Sequence, residues 1–204
     1  MKKVCENWEQ AAIAAVCDPN LFAEFELRAK SAAAEVFRVK TAPEAQEVLR
    51  NLIQYTNAKK VVAVESPLQH AAGITAAIRQ MGVEVYTDLA DIAAQAETAD
   101  IGVSGVEFAV AETGSVCQDA YAVESRLVST LTPIHVVFLN SRNIVKGMEE
   151  AIGIVSQVYD RGYISFITGP SRTADIERVL TIGVHGPSRF IIIAVDEQVD
   201  GGVA

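Results

Sequence analysis

Cysteine is scarce in this chain of 204 residues: Cys5, Cys17 and Cys117 are the only three. None belongs to a CxxC pair or stands at a metal-ligand spacing. A conventional all-cysteine iron–sulfur cluster needs four thiolates, so this chain cannot hold one alone. A disulfide framework is excluded on the same count, and reduced thiols are the expectation. Histidine is equally sparse. His70, His135 and His185 are scattered, with no zinc-finger or zinc-enzyme spacing. No apolar run approaches the roughly 18 residues that span a bilayer. The opening MKKVCENWEQ has two lysines, but acidic and polar residues follow where a signal peptide needs an apolar stretch. The expectation is a cytoplasmic protein away from membranes. Basic residues are outnumbered, and the formal net charge is −9. Such a surface repels nucleic acid and anionic lipid. An anionic ligand would therefore need a local positive pocket. Neither GxGxxG nor GxxxxGK[ST] occurs, so no nucleotide fingerprint is present and no cofactor is identifiable in this chain.

What is present is alternation. After Asp18-Pro19-Asn20, the residues Leu21, Phe22, Phe25, Ala29, Ala32 and Ala33 form one broad helical face. With a weaker helical stretch from residue 7, they suggest an N-terminal helical extension over 1–35. An α/β domain over 36–204 follows. Val36–Val39 reads as a strand. Thr41 and Glu44 have capping-box spacing, with Pro43 in the first turn, ahead of an amphipathic helix through Ile53. Val61–Val64 is the apolar run of a strand buried on both faces. One helix is predicted from Leu68 to Met81 with Gly82 as its stop, then a strand at 83–86, a helix at 88–99 and a strand from Ile101. Residues 104–121 fit turns and a hairpin. Strands follow at 134–139, 163–168 and 190–195, with helices at 148–159 and 173–180. Strand–helix alternation of this kind predicts a mostly parallel sheet with helices on both faces.

Three segments carry candidate chemistry. In Thr168-Gly169-Pro170-Ser171-Arg172-Thr173 a strand enters a tight loop that leads into the predicted helix. Backbone N–H groups, the Ser171 hydroxyl and the Arg172 guanidinium would suit a carboxylate or phosphate. The structural alternative is that Ser171 or Thr173 merely caps the helix and Arg172 pairs with Asp175 or Glu177. In Glu112-Thr113-Gly114-Ser115, the glutamate beside a glycine turn is either a general base or nucleophile, or a solvated hairpin residue. In the Gly183–Arg189 turn, His185 is either a proton-transfer group or a partner of helix carbonyls. His135, inside an apolar strand, reads as a hydrogen-bonded core residue.

Together and in order, AETGS at 111–115, the strand PIHVV at 133–137, ITGPSRTADIE at 167–177 and GVHGP at 183–187 resemble the lactate-utilisation protein C family of LUD-domain proteins. The one departure is Cys117-Gln118, where apolar residues would be expected. The resemblance implies a NagB/RpiA/CoA-transferase-like fold. It implies a part in oxidising L-lactate to pyruvate, beside two partner proteins that carry iron–sulfur clusters. It also invites comparison with CoA transferases that use a glutamate nucleophile next to a glycine turn. The expectation drawn from these readings is one cleft at the C-terminal ends of the strands. It holds Thr113, Gly114, Ser115 and residues 168–173 as the ligand cradle, with Arg172 as anion clamp and Glu112 and His185 as proton-transfer groups. The ligand would be a small carboxylate or a phosphorylated molecule. Two rival expectations are a stand-alone acyl- or phosphoryl-transfer enzyme and a non-catalytic assembly or ligand-sensing subunit. Homo-oligomers are compatible with either.

Overall fold

The computed structural model describes residues 16–159, 162–174 and 180–197. Six strands form one parallel sheet: β1 (Glu35–Val39), β2 (Lys60–Ala63), β3 (Glu84–Tyr86), β4 (Ile101–Gly105), β7 (Ile134–Asn140) and β12 (Arg189–Val195). Their order is β1-β12-β7-β4-β2-β3, and every neighbouring pair is parallel. A second sheet holds β5 (Phe108–Val110), β6 (Ser115–Asp119), β8 (Ile144–Val145) and β9 (Ile164–Ile167), in the order β8-β5-β6-β9.

Period-2 alternation explains how the main sheet is covered. Ile191, Ile193 and Val195 of β12, with Ile134, Val136 and Phe138 of β7, pack on one face. There they meet Leu49 and Ile53 of α2 (Ala42–Thr56) and Ile78 of α4 (Ile74–Gln80). The alternate residues Phe190, Ile192, Ala194, Val137 and Leu139 turn to the other face. They meet Phe22 and Phe25 of α1 (Phe22–Ser31) and the inner side of the second sheet at Ala109 and Val116. Farther along that face, Val62 packs with Ile92 of α5 (Leu89–Gln95) and Val128 of α6 (Val123–Leu131). The outer side of the second sheet is closed by α7 (Met148–Val158) through Ala151, Ile154 and Val158. Strands buried on both sides are why the sequence shows continuous apolar runs rather than alternation.

Most local expectations fit. The Thr41 cap forms: its hydroxyl accepts from Glu44 N at 3.5 Å. The Glu44 carboxylate reaches back to Lys40 N at 2.8 Å. Three places differ. The predicted helix 68–81 is two helices, α3 (Pro67–Ala71) and α4, because Gly73 turns left-handed at φ +61° between them. Helix α6 falls in a stretch with no secondary-structure assignment from the sequence. Thr173, predicted to start a helix, instead forms with Arg172 the two-residue strand β10 (Arg172–Thr173). It pairs antiparallel with β11 (Thr181–Ile182). β-branched residues at 173, 181 and 182 favour this extended pairing. The rest of that predicted helix, at 175–179, lies outside the described residues, as does the helical stretch from residue 7. The second helix of the expected 1–35 extension is α1, whose Phe25 and Ala29 are fully buried against the main body.

Candidate functional site

The predicted site segments converge on the last turn of α1. Gly114 has φ +68°, and a Cβ there would lie 2.3 Å from Ala29 N. Gly169 has φ +74°, and its Cβ would lie 2.0 Å from Ala32 O. No other residue type fits these close approaches at positive φ. Next to them, Ser115 Oγ and Thr168 Oγ1 share a hydrogen bond of 2.6 Å. The AETGS and TGPS segments therefore meet as the sequence suggests, and their glycines serve backbone packing.

From this seam a cleft of about 400 Å³ opens, walled by residues 168–171 on one side and His185-Gly186-Pro187 on the other. The loops are sewn together: Ser171 N donates to Pro187 O at 2.8 Å, and Gly183 N donates to Ser171 O at 2.9 Å. His135 and Phe190 also line the cleft, and each is the second residue of its strand. The cleft therefore lies at the N-terminal ends of β7 and β12, the opposite end of the sheet from the one expected. Its polar lining is hydroxyls and imidazoles, including Ser129, Thr130, Ser171 and Tyr163. No carboxylate borders it among the described residues. The Arg126 guanidinium stacks over the Tyr163 ring, 5.4 Å from its centroid, and brings positive charge to that wall.

Thr168, Gly169, Pro170, Ser171 and His185 thus share one cleft. Arg172 and Thr173 do not line it, and Arg172 is exposed on β10, because the chain leaves the cleft as a strand. Glu112 does not line it either. Its carboxylate accepts from Met148 N at 3.3 Å, at the start of α7, where negative charge suits the helix dipole. Thr113 is half-buried, with no hydrogen-bond partner for its hydroxyl among the described residues.

The structure adds His135 to the cleft. It is fully buried, and burial pushes its pKa down to about 3, so it is neutral. Its Nε2 lies 2.8 Å from Ser104 Oγ, which also accepts from Gln118 Nε2 at 2.9 Å. In the tautomer in which the Ser104 hydroxyl donates, its proton goes to His135 Nε2. The imidazole then carries its own proton on Nδ1, which has no partner among the described residues. Gln118 Oε1 is likewise buried and unpaired. The departure at Cys117-Gln118 is therefore a buried polar position that hydrogen-bonds the serine partner of the cleft's histidine.

A second cavity, of about 330 Å³, lies at the C-terminal ends of β2, β4 and β7. It lies at the end of the sheet where the sequence reading put its one cleft, but none of the residues named for that cleft lines it. Its lining comes from segments 64–68, 104–107, 118–125 and 138–143, which are far apart in the chain.

The LUD domain family model matches residues 22–195. The chain belongs to the LUD domain family. Among curated LUD relatives, "Lactate utilization protein C" of Shouchella clausii (strain KSM-K16) is 29% identical, over 79% of this chain and 73% of the relative. The protein of the same name from Bacillus licheniformis is 36% identical over 51% of this chain and 45% of its own length. Among solved structures, a DUF162 family protein from Deinococcus radiodurans superposes with a TM-score of 0.60 at 22% identity. That match covers 86% of this chain and 96% of the other, and it establishes a shared fold. All four resemblance segments lie inside the matched LUD range.

Proposed function

We propose that this LUD-domain chain is the cluster-free component of an iron–sulfur-dependent system that oxidises L-lactate to pyruvate. In this reading the cleft between residues 168–171 and 185–187 takes a small carboxylate, and iron–sulfur partner subunits carry the electrons. The names of its relatives support the lactate assignment. The observation that carries the ligand class is the lining: hydroxyls and imidazoles on a cleft that no carboxylate borders among the described residues, in a chain of net charge −9. The Ser171 hydroxyl and the His135 Nδ1–H would donate to carboxylate oxygens. His185, exposed at the rim, would exchange a proton with the 2-hydroxyl or 2-keto oxygen in this reading. The exposed Arg172 on β10 is outside this set.

The test is thermal stabilisation of the purified chain by L-lactate and pyruvate. Ligand at about 100 times its dissociation constant adds roughly 2.7 kcal/mol to the folded state. The shift should vanish in Ser171→Ala and shrink in His185→Ala, and it should survive in Arg172→Ala. A shift lost only in Arg172→Ala would overturn this placement of the site. No shift with either acid, alone or with co-purified partners, would sink the proposal.

A further inference from the structure

We propose that the cavity at the C-terminal ends of β2, β4 and β7 is a second ligand site, and that it takes a small uncharged molecule bearing a primary carboxamide group. The order of the sheet opens the cavity. β2 and β4 are neighbours in the sheet. From β2 the chain passes to α3 and α4, on the face that holds α2. From β4 it passes to the β5–β6 hairpin, on the opposite face. The two chains part at this point, and a crevice of about 330 Å³ lies between Ser66 after β2 and Gly105 at the end of β4. Such reversals in an open α/β sheet are where ligands bind.

One buried atom at this wall has no partner. Gln118 is 2% exposed and borders the cavity. Its Nε2 donates to Ser104 Oγ at 2.9 Å, while its Oε1 accepts no hydrogen bond among the described residues. A buried acceptor left in this state favours a ligand that brings a donor.

The neighbouring amides define the rest of the ligand. Asn143 Nδ2 donates to Glu107 O at 3.2 Å, which leaves Asn143 Oδ1 to accept. Asn140 Oδ1 accepts from Arg142 N at 3.0 Å, which leaves the Asn140 NH2 to donate. Both border the cavity, as does the buried Ser125, whose hydroxyl can donate or accept. Two amide oxygens and an amide NH2 complement a primary carboxamide, whose nitrogen donates twice and whose oxygen accepts. Charged ligands fit less well. No lysine, arginine or histidine borders the cavity among the described residues, so a carboxylate or phosphate finds no counter-ion. The bordering carboxylates already have partners. Glu65 Oε1 accepts from the Thr75 hydroxyl, Asp119 Oδ1 accepts from Tyr121 N at 3.0 Å, and Glu107 is engaged as well. They are not free to select a cation.

The experiment titrates the full chain with malonamide, which carries primary carboxamides, and records proton–nitrogen correlation spectra. Tetramethylmalonamide, which has no N–H group, glycerol and sodium L-lactate serve as comparisons. The side-chain NH2 signals of Gln118, Asn140 and Asn143 should move together with malonamide and saturate, and they should stay in place with the tetramethyl compound. Gln118→Met keeps the length of the side chain and removes the acceptor, and it should weaken binding about tenfold or more, read from the asparagine signals. Ser125→Ala should weaken binding severalfold, and it reads the site if the Gln118 variant fails to fold. An equal response to tetramethylmalonamide or to glycerol would overturn the carboxamide class. Saturation of the Asn140 and Asn143 signals by L-lactate at lower concentration would overturn it in favour of an anion. No saturable shift with malonamide, or unchanged affinity in both variants, would overturn the site itself.

Discussion

The two cavities sit at opposite ends of β7 and are built from opposite chemistry. His135, near the start of the strand, helps line a cleft of hydroxyls and imidazoles. Phe138 and Asn140, at its end, border a cavity ringed by carboxylates. The buried string His135–Ser104–Gln118 runs between them: its imidazole borders the first, and its hydroxyl and amide border the second. The parallel sheet thus separates two environments that the average acidity of the chain hides. Net charge describes the whole surface and says little about either pocket.

The comparison breaks most completely at the glycine seam that shapes the first cleft and leaves the second alone. Gly169→Ala sets a Cβ against the Ala32 carbonyl and forces a left-handed backbone on alanine. Urea unfolding should show a loss of about 3 kcal/mol or more. A loss below about 1 kcal/mol would mean that the seam relaxes freely.

Acid should weaken the string next. The folded pKa of His135 is depressed to about 3 against an ordinary value of 6.5. The contribution of the neutral imidazole is therefore fully present above about pH 6.5. It falls by about 1.4 kcal/mol per pH unit as pH drops toward 3, because the unfolded chain takes up a proton that the folded chain refuses. Between pH 7 and 4.5 wild type should lose about 3 kcal/mol more than His135→Phe does, read from urea midpoints at the two pH values. Equal losses would show that the imidazole is charged or solvated in the folded state.

The smallest effect expected is at the middle of the string. Ser104→Ala leaves His135 Nε2 and Gln118 Nε2 without their shared partner, at a cost of about 1–3 kcal/mol. It also removes the hydrogen-bond partner of His135 Nε2. The nitrogen resonances of the ring should then show mixed tautomers, whereas a single Nδ1–H form in the variant would mean that something else sets it.

Much of the fold was legible in the sequence because burial on both faces leaves a plain signature. Val61–Val64 and Phe190–Val195 could hardly be anything but inner strands. Helix α2 announced itself through Thr41, Pro43 and Glu44. Helix α6 did not, because Ser125, Ser129 and Thr130 dilute its apolar stripe. The break at Gly73 was missed because an isolated glycine inside a helical pattern is usually tolerated. The candidate site was half legible. TGPS and HGP stand out as loops, and they do face one another. The sequence could not show that β9 belongs to a second sheet, which turns that loop toward the N-terminal ends of β7 and β12 and carries Arg172 away on β10. His135 looked like core and is core, yet it also lines the cleft. The second cavity was illegible because it exists only where four distant segments meet.

The placement of β12 bears on how the chain is made. Among the described residues β1 is an edge strand whose neighbour in the sheet is β12, with Glu35 opposite Ile191. When β1 leaves the ribosome, the strand it must pair with has yet to be translated. At roughly 5–20 residues per second, β12 follows on the order of ten seconds later. Over that interval Val36 and Val39 have no sheet to join, and the gap between β1 and β7 stays open. The pairing of β1 with the sheet is therefore completed only once β12, the apolar strand between it and β7, has been made.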